Sequence, residues 1–293
     1  MSLAPFVAKV ARRLEAARLS YGHGTTCAWD EAAWLVLHAL GLPLASDLGA
    51  AVTAPPRFSA LKKAVTLMHA RIATRTPLAY LLREAWLQGV SFYVDERCIV
   101  PRSLLAEVIA DASIDPWLPA DCRHALDLCC GGGSLAILAA LAWPDMQIDA
   151  VDISADALEV ARINVARHSL QARIHLLAGD GLAACGNACY GLIICNPPYV
   201  NDESMARLPP EYAAEPPLAL AGGADGMDFI RPLIANAAQH LSEGGALLLE
   251  IGHEREHFEA AFPHLAPVWL DTSAGIGQVL LLPRDELLHA ASE

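Results

Sequence analysis

Long apolar runs are scarce in this chain. The longest wholly apolar stretch, Leu135–Trp143, has nine residues, far short of the roughly 20 that a membrane-spanning helix needs, so no membrane partner is expected. Paired cysteine spacings are scarce too. The eight cysteines include no Cys-x-x-Cys pair. Adjacent Cys129 and Cys130 are poor disulfide partners, and Cys185-x3-Cys189 alone falls short of a zinc site. No metal ligand set is expected, and scattered thiols suit a reducing, cytoplasmic compartment. Internal repeats and low-complexity tracts are absent. Basic residues are the minority, 20 Lys and Arg against 33 Asp and Glu, for a net charge of −13.

The charge is unevenly spread. Residues 1–85 hold ten Lys and Arg against five acids, a net of +5 that leaves −18 for the remainder. Such asymmetry argues for two units with different partners. The acidic part disfavours broad nucleic-acid binding, because phosphate contacts need Lys and Arg, and it suits a basic protein substrate; ordinary solubility charge is the alternative. The 54% apolar content is enough for a real core, and 293 residues fit a main domain plus a smaller one.

The segment Met1–Arg18 has a transit-peptide composition, with Arg12, Arg13 and Arg18 against Glu15 alone. An amphipathic helix accounts for it better, because Phe6, Val7, Val10, Leu14 and Ala17 share one face. Residues 5–20, 28–40 and 58–74 read as helices joined by Gly41-Leu42-Pro43 and Pro55-Pro56. Residues 1–77 are therefore expected to form a small helical bundle. Residues 78–102 read as a β-hairpin linker, with Phe92–Val94 and Cys98–Val100 flanking Asp95-Glu96-Arg97 and ending at Pro101. Residues 103–293 alternate strand and helix. Strands are expected at 125–129, 147–151, 174–177, 192–195, 246–251, 268–270 and 279–282, and helices at 133–142, 154–168, 227–241 and 254–262. This alternation implies an α/β, doubly wound sheet with helices on both faces.

Chemistry concentrates at four strand ends. Asp127 to Ser134 is a glycine turn in which Gly131, Gly132 and Gly133 let backbone approach a ligand closely. Asp152 ends the second strand, where two carboxylate oxygens can hold a ribose diol; a helix N-cap is the alternative role for Asp152 or Ser154. Asp180 ends the third strand, where it can accept an adenine amino group or merely close a turn. Asn196-Pro197-Pro198-Tyr199 follows the fourth. Proline removes donors, fixes φ and keeps the preceding residue extended, so the Asn196 amide oxygen and the Pro197 carbonyl can both face one incoming NH2 group.

Asp127–Gly133, Asp152, Asp180 and Asn196–Tyr199 resemble the S-adenosylmethionine-dependent class I methyltransferases, and more narrowly the HemK-type protein-glutamine methyltransferases. Phe92–Arg97, Val100–Ser103, Leu208–Tyr212 through Glu215-Pro216, and Asp225-Gly226 are similar to the branch that modifies a glutamine in the third large-subunit ribosomal protein. Cys130 and Gly132 depart from that family, which usually has hydroxyl side chains there.

The resemblance implies a class I methyltransferase-like, seven-stranded mixed sheet with a small N-terminal helical domain that recognises substrate. It implies S-adenosylmethionine as cofactor, with S-adenosylhomocysteine as product. Asp127, Cys129, Gly131, Gly133, Asp152, Asp180 and Asn196 would hold the cofactor. Asn196 and Pro197 would act in catalysis, and Pro198 and Tyr199 would complete the substrate pocket. The partner would be a basic ribosomal protein, and the +5 helical part could touch ribosomal RNA.

Four other functions compete: a nicotinamide dehydrogenase on the same glycine turn, methylation of a release-factor glutamine, methylation of nucleic-acid adenine, and a non-catalytic ribosome-assembly binder. Arg102 reads as a cofactor-carboxylate contact or a surface charge. Glu250 reads as a buried hydrogen-bonding group, and His253, Glu254 and His257 as a solvated helix face.

Overall fold

The computed structural model describes residues 2–50 and 56–290; Met1 and Pro55 lie outside the described residues. Three helices open the chain, α1 (Ala4–Ala16), α2 (Ala28–Leu40) and α3 (Phe58–Thr74). α1 starts with a proline in its first turn and buries Val7, Val10, Ala11 and Leu14, so it is amphipathic but ends earlier than expected. α2 ends where Gly41 turns left-handed (φ 68°) and returns hydrogen bonds to the last carbonyls. A short helix, α4 (Leu78–Leu82), was not expected and leads into the hairpin of β1 (Ala85–Leu87) and β2 (Val90–Phe92).

The hairpin lies upstream of its expected place. Gln88 and Gly89 both have positive φ (48° and 74°), as a two-residue turn between twisted strands requires. Cys98–Val100 does not pair as a strand. Asp95 instead closes its own turn, accepting from the Arg97 backbone (3.2 Å) and guanidinium (2.9 and 2.7 Å), while Val94, Cys98 and Val100 are buried in the core of the helical part. Burial in that core outcompeted strand pairing for this apolar run.

The remaining elements are α5 (Leu105–Ala110), β3 (His124–Leu128), α6 (Ser134–Ala142), β4 (Gln147–Asp152), α7 (Ala155–Arg167), β5 (Ile174–Ala178), β6 (Tyr190–Cys195), α8 (Asp202–Met205), α9 (Ile230–Ala237), β7 (Leu241–Glu250), α10 (Arg255–Ala261), β8 (Val268–Leu270), β9 (Val279–Pro283) and α11 (Arg284–Ala290). Seven strands form one mixed sheet in the order β5-β4-β3-β6-β7-β9-β8, parallel through β7 and antiparallel at β9 and β8.

Both faces of the sheet are covered, so β6 is apolar throughout. Leu192 and Ile194 pack with α5 and α6, and Ile193 and Cys195 with α9 and α10. The helical part packs on α7, whose Ala157 and Val160 share a core with Leu14, Leu35 and Val100. A buried charge cluster reinforces that seam. Arg71 binds Glu31 (2.8 Å) and the Ser20 carbonyl (2.9 Å). Glu211, from the segment after β6, accepts from the Ser20 amide (2.9 Å) and faces Arg75 (2.7 Å).

Candidate active site

Strand order reverses between β3 and β6, so the carboxyl ends of those neighbours bound a crevice where open α/β sheets bind ligands. The turn after β3 has alternate left-handed residues, Cys129 (φ 57°), Gly131 (φ 53°) and Gly133 (φ 77°). A β-carbon on Gly131 would meet nothing within 4 Å, whereas one on Gly133 would press on Ala161 of α7. Gly131 thus faces open cleft, and Gly133 lets helix and turn pack closely.

The two acids near this turn do different work. Asp127 is fully buried and accepts from the Ala136 amide (2.9 Å), while its other oxygen has no partner. Burial, partly offset by that amide and reinforced by Asp152, pushes its carboxyl up to about 8. Asp152 accepts from the Gly131 amide and the Ser154 amide, both at 2.8 Å. Burial raises it too, against the pull of those amides. Ser154, not Asp152, caps α7, accepting from Ala157 (3.2 Å). Asp127 already takes the Ala136 amide in the first turn of α6, so a donor that a pyrophosphate would use at that helix end is spent, which disfavours a dinucleotide there.

A cleft of about 840 Å3, counting its open mouth, lies over the turn. Cys129, Gly131, Asp152, Asp180, Asn196 and Pro198 line it together. Asp127 and Gly133 do not; they shape the turn from beneath and behind. Pro197 and Tyr199 are also absent from the lining. Among the described residues, no protein group hydrogen-bonds the Asn196 side chain, so its amide is unspent. The cleft further includes Arg97, Ile99, Ile153, Leu218 and Phe229, none of which was expected as a site residue.

The corner after β6 is boxed in. Val200 donates to the Leu220 carbonyl (2.9 Å) and Gly222 to the Val200 carbonyl (2.8 Å). The Tyr199 ring lies over Gly252, where a β-carbon would stand 2.4 Å from the ring, and its hydroxyl donates to Glu250 (2.9 Å). Glu250 is buried and also accepts from the Ser103 hydroxyl (2.5 Å) and the Leu104 amide (2.9 Å). Glu254 is likewise buried rather than solvated: both its oxygens accept from Asn201, two residues past the corner, and one faces His257. The expected solvated face at 253–257 is corrected on that point.

Arg102 is not a free surface charge. It grips Glu215, which also accepts from the Val100 amide (2.9 Å) and faces His23 (3.5 Å). Glu211 and Glu215 therefore tie the segment before Pro216, a cleft residue, to the helical part and the linker. Two acids in an otherwise proline-rich apolar stretch were the available signal. All eight cysteines are free thiols.

The sequence pattern of the methyltransferase small domain family matches residues 104–208. A ribosomal protein uL3 glutamine methyltransferase from Bordetella pertussis is 54% identical over 280 residues, covering 94% of this chain and 92% of that protein. Its namesake from Burkholderia pseudomallei is 48% identical over 286 residues, covering 94% and 92%. Among solved structures, a methyltransferase from Pyrococcus furiosus superposes with a TM-score of 0.50 at 18% identity, covering 74% of this chain and 97% of that one. The fold is class I methyltransferase-like.

Proposed function

The chain belongs to the ribosomal protein uL3 glutamine methyltransferase family, and on that premise we propose that it methylates the side-chain amide nitrogen of a glutamine in uL3 with S-adenosylmethionine as donor. The observation that carries this is one cleft lined by Gly131, Asp152, Asp180 and an unspent Asn196 amide. These residues fit the donor. Gly131 leaves open space where a side chain would stand, Asp152 keeps carboxylate lone pairs for a diol, and Asp180 stands at the next strand end for an amino group. When bound, S-adenosylmethionine supplies an electrophilic sulfonium methyl.

The amide nitrogen is a poor nucleophile because its lone pair is delocalised into the carbonyl. What this chain must supply is alignment, which contributes about 7–11 kcal/mol in the best cases. The Asn196 oxygen and the Pro197 carbonyl each accept one N–H of the glutamine amide. That fixes its plane and favours positive charge developing on nitrogen. Each bond is worth about 1 kcal/mol, more when charge-assisted. With the donor bound, the new N–C bond would replace its C–S bond, and the extra amide proton would pass to water.

Adenine methylation uses a similar corner chemistry, but the −18 charge of residues 86–293 opposes a polyphosphate substrate. The test is incubation of the enzyme with labelled S-adenosylmethionine and cell extract, then mass spectrometry. A methyl on a uL3 glutamine side chain supports the proposal; label in nucleic acid or in another protein overturns it.

Partner contacts extend beyond uL3. Lys9, Arg12, Arg13, Arg18, Arg57, Lys62 and Lys63 make no ion pair among the described residues, which suits phosphate contacts of the helical part with ribosomal RNA on an assembling particle. The place of action is the cytoplasm, which suits the free thiols.

A further inference from the structure

Glu250 ends β7 one residue past Leu249, which registers with Cys195, the last residue before the Asn196 corner. Its carboxylate receives three donors from two directions: the Tyr199 hydroxyl from the corner, and Ser103 and Leu104 from the linker side. A carboxylate buried at the end of an apolar strand is costly unless its lone pairs are used, and here one oxygen is committed to the corner and the other to the start of α5. The Tyr199 ring cannot turn into the cleft while this bond holds, and Gly252 leaves the space that the ring needs.

We propose that Glu250 is a positioning residue for methyl transfer, holding the Tyr199 ring and thereby the Asn196 and Pro197 oxygens at one distance from the cleft. Pro197 and Pro198 transmit the constraint, because their fixed φ leaves few soft torsions between Tyr199 and Asn196. The inference rests on the methyl-transfer proposal above. A reacting nitrogen tolerates little misplacement, so loosening the corner by a fraction of an ångström costs rate rather than donor binding.

The test compares Glu250→Met, Glu250→Gln, Tyr199→Phe and the Tyr199→Phe/Glu250→Met double variant. Methionine keeps volume and removes the acceptors. Glutamine keeps one acceptor, and the tyrosine hydroxyl can rotate to accept from its NH2. Expected are a kcat about tenfold lower for Glu250→Met and for Tyr199→Phe, partial rescue in Glu250→Gln, and donor Kd within about twofold of wild type throughout. In the Tyr199→Phe background, Glu250→Met costs clearly less than it does alone.

An equal cost of Glu250→Met in both backgrounds overturns the proposal, since Glu250 would then act without Tyr199. Should Glu250→Met fail to fold, Tyr199→Phe decides the matter alone, and an unchanged kcat overturns it. Hydrogen–deuterium exchange over residues 196–202 provides a substrate-free readout, expected to quicken in Glu250→Met and Tyr199→Phe; unchanged exchange in both counts against the anchor. A wild type that methylates no glutamine sinks the functional proposal, while the exchange measurement still judges the anchor.

Discussion

Both terminal nitrogens of Arg102 reach the Glu215 carboxylate, at 2.6 and 2.7 Å, across 113 residues of chain. This pair closes the linker onto the segment that leads into Pro216 at the cleft, and Glu215 is fully enclosed. Removing one partner of a buried pair leaves an uncompensated charge, so Arg102→Ala should cost about 3–5 kcal/mol in denaturant-unfolding experiments.

The same carboxylate sets an acid limit. Burial alone would raise Glu215, but the neighbouring His23 (3.5 Å) and the hydrogen bonds and charge of Arg102 outweigh it and hold the group at about 2. A folded value below the unfolded one means stability that is present above the ordinary glutamate range and lost as pH falls from about 4.5 toward 2. Unfolding midpoints measured at pH 6 and pH 3 should fall steeply for the wild type and less for Glu215→Gln.

Asp127 acts with the opposite sign. Held up to about 8 by burial, it keeps a proton that the unfolded chain loses near pH 4, so its contribution declines as pH rises from about 4 to 8 and is flat beyond. Asn at this site still accepts from the Ala136 amide and does not titrate. The drop in Tm between pH 6 and pH 8.5 should therefore be smaller in Asp127→Asn than in the wild type.

Asn196→Ala should separate transfer from binding. Loss of an oriented acceptor in a water-poor site typically costs about 10²–10³ in rate, so kcat should fall about a hundredfold, with calorimetric Kd for S-adenosylmethionine within about threefold. Near-normal transfer by this variant would remove Asn196 from the mechanism.

Gly131→Val should do the reverse. The residue sits at φ 53° with open cleft where its side chain would stand. A β-branched residue there adds roughly 1–2 kcal/mol of backbone strain and fills donor space. Donor affinity should drop at least about tenfold, read by titration calorimetry.

Replacing Lys9, Arg12 and Arg13 by alanine tests the RNA contact. If each neutralises a phosphate, the slope of log K against log salt for ribosomal RNA should shrink by about 0.7–0.9 per cation. Filter binding at several salt concentrations gives the slope, and an unchanged value excludes these three.

The sequence alone determined the alternation of strands and helices, the two helices α2 and α3 with their ends, and the four strand ends that carry Asp127, Asp152, Asp180 and Asn196. Those features are written locally, in apolar periodicity and in glycine and proline, which act within a few residues. Only the tertiary structure decided that β1 pairs with β2 through Gln88-Gly89, that Asp127 lies beneath the turn rather than in the cleft, and that Tyr199 points to Glu250. It alone also revealed the partners of Arg102, Glu211, Glu215 and Glu254. The hairpin is local and was missed in competition with a neighbouring apolar run, but the partners of Tyr199, Arg102, Glu211, Glu215 and Glu254 lie tens to more than a hundred positions away, where burial cost and hydrogen-bond satisfaction, not local propensity, select the partner.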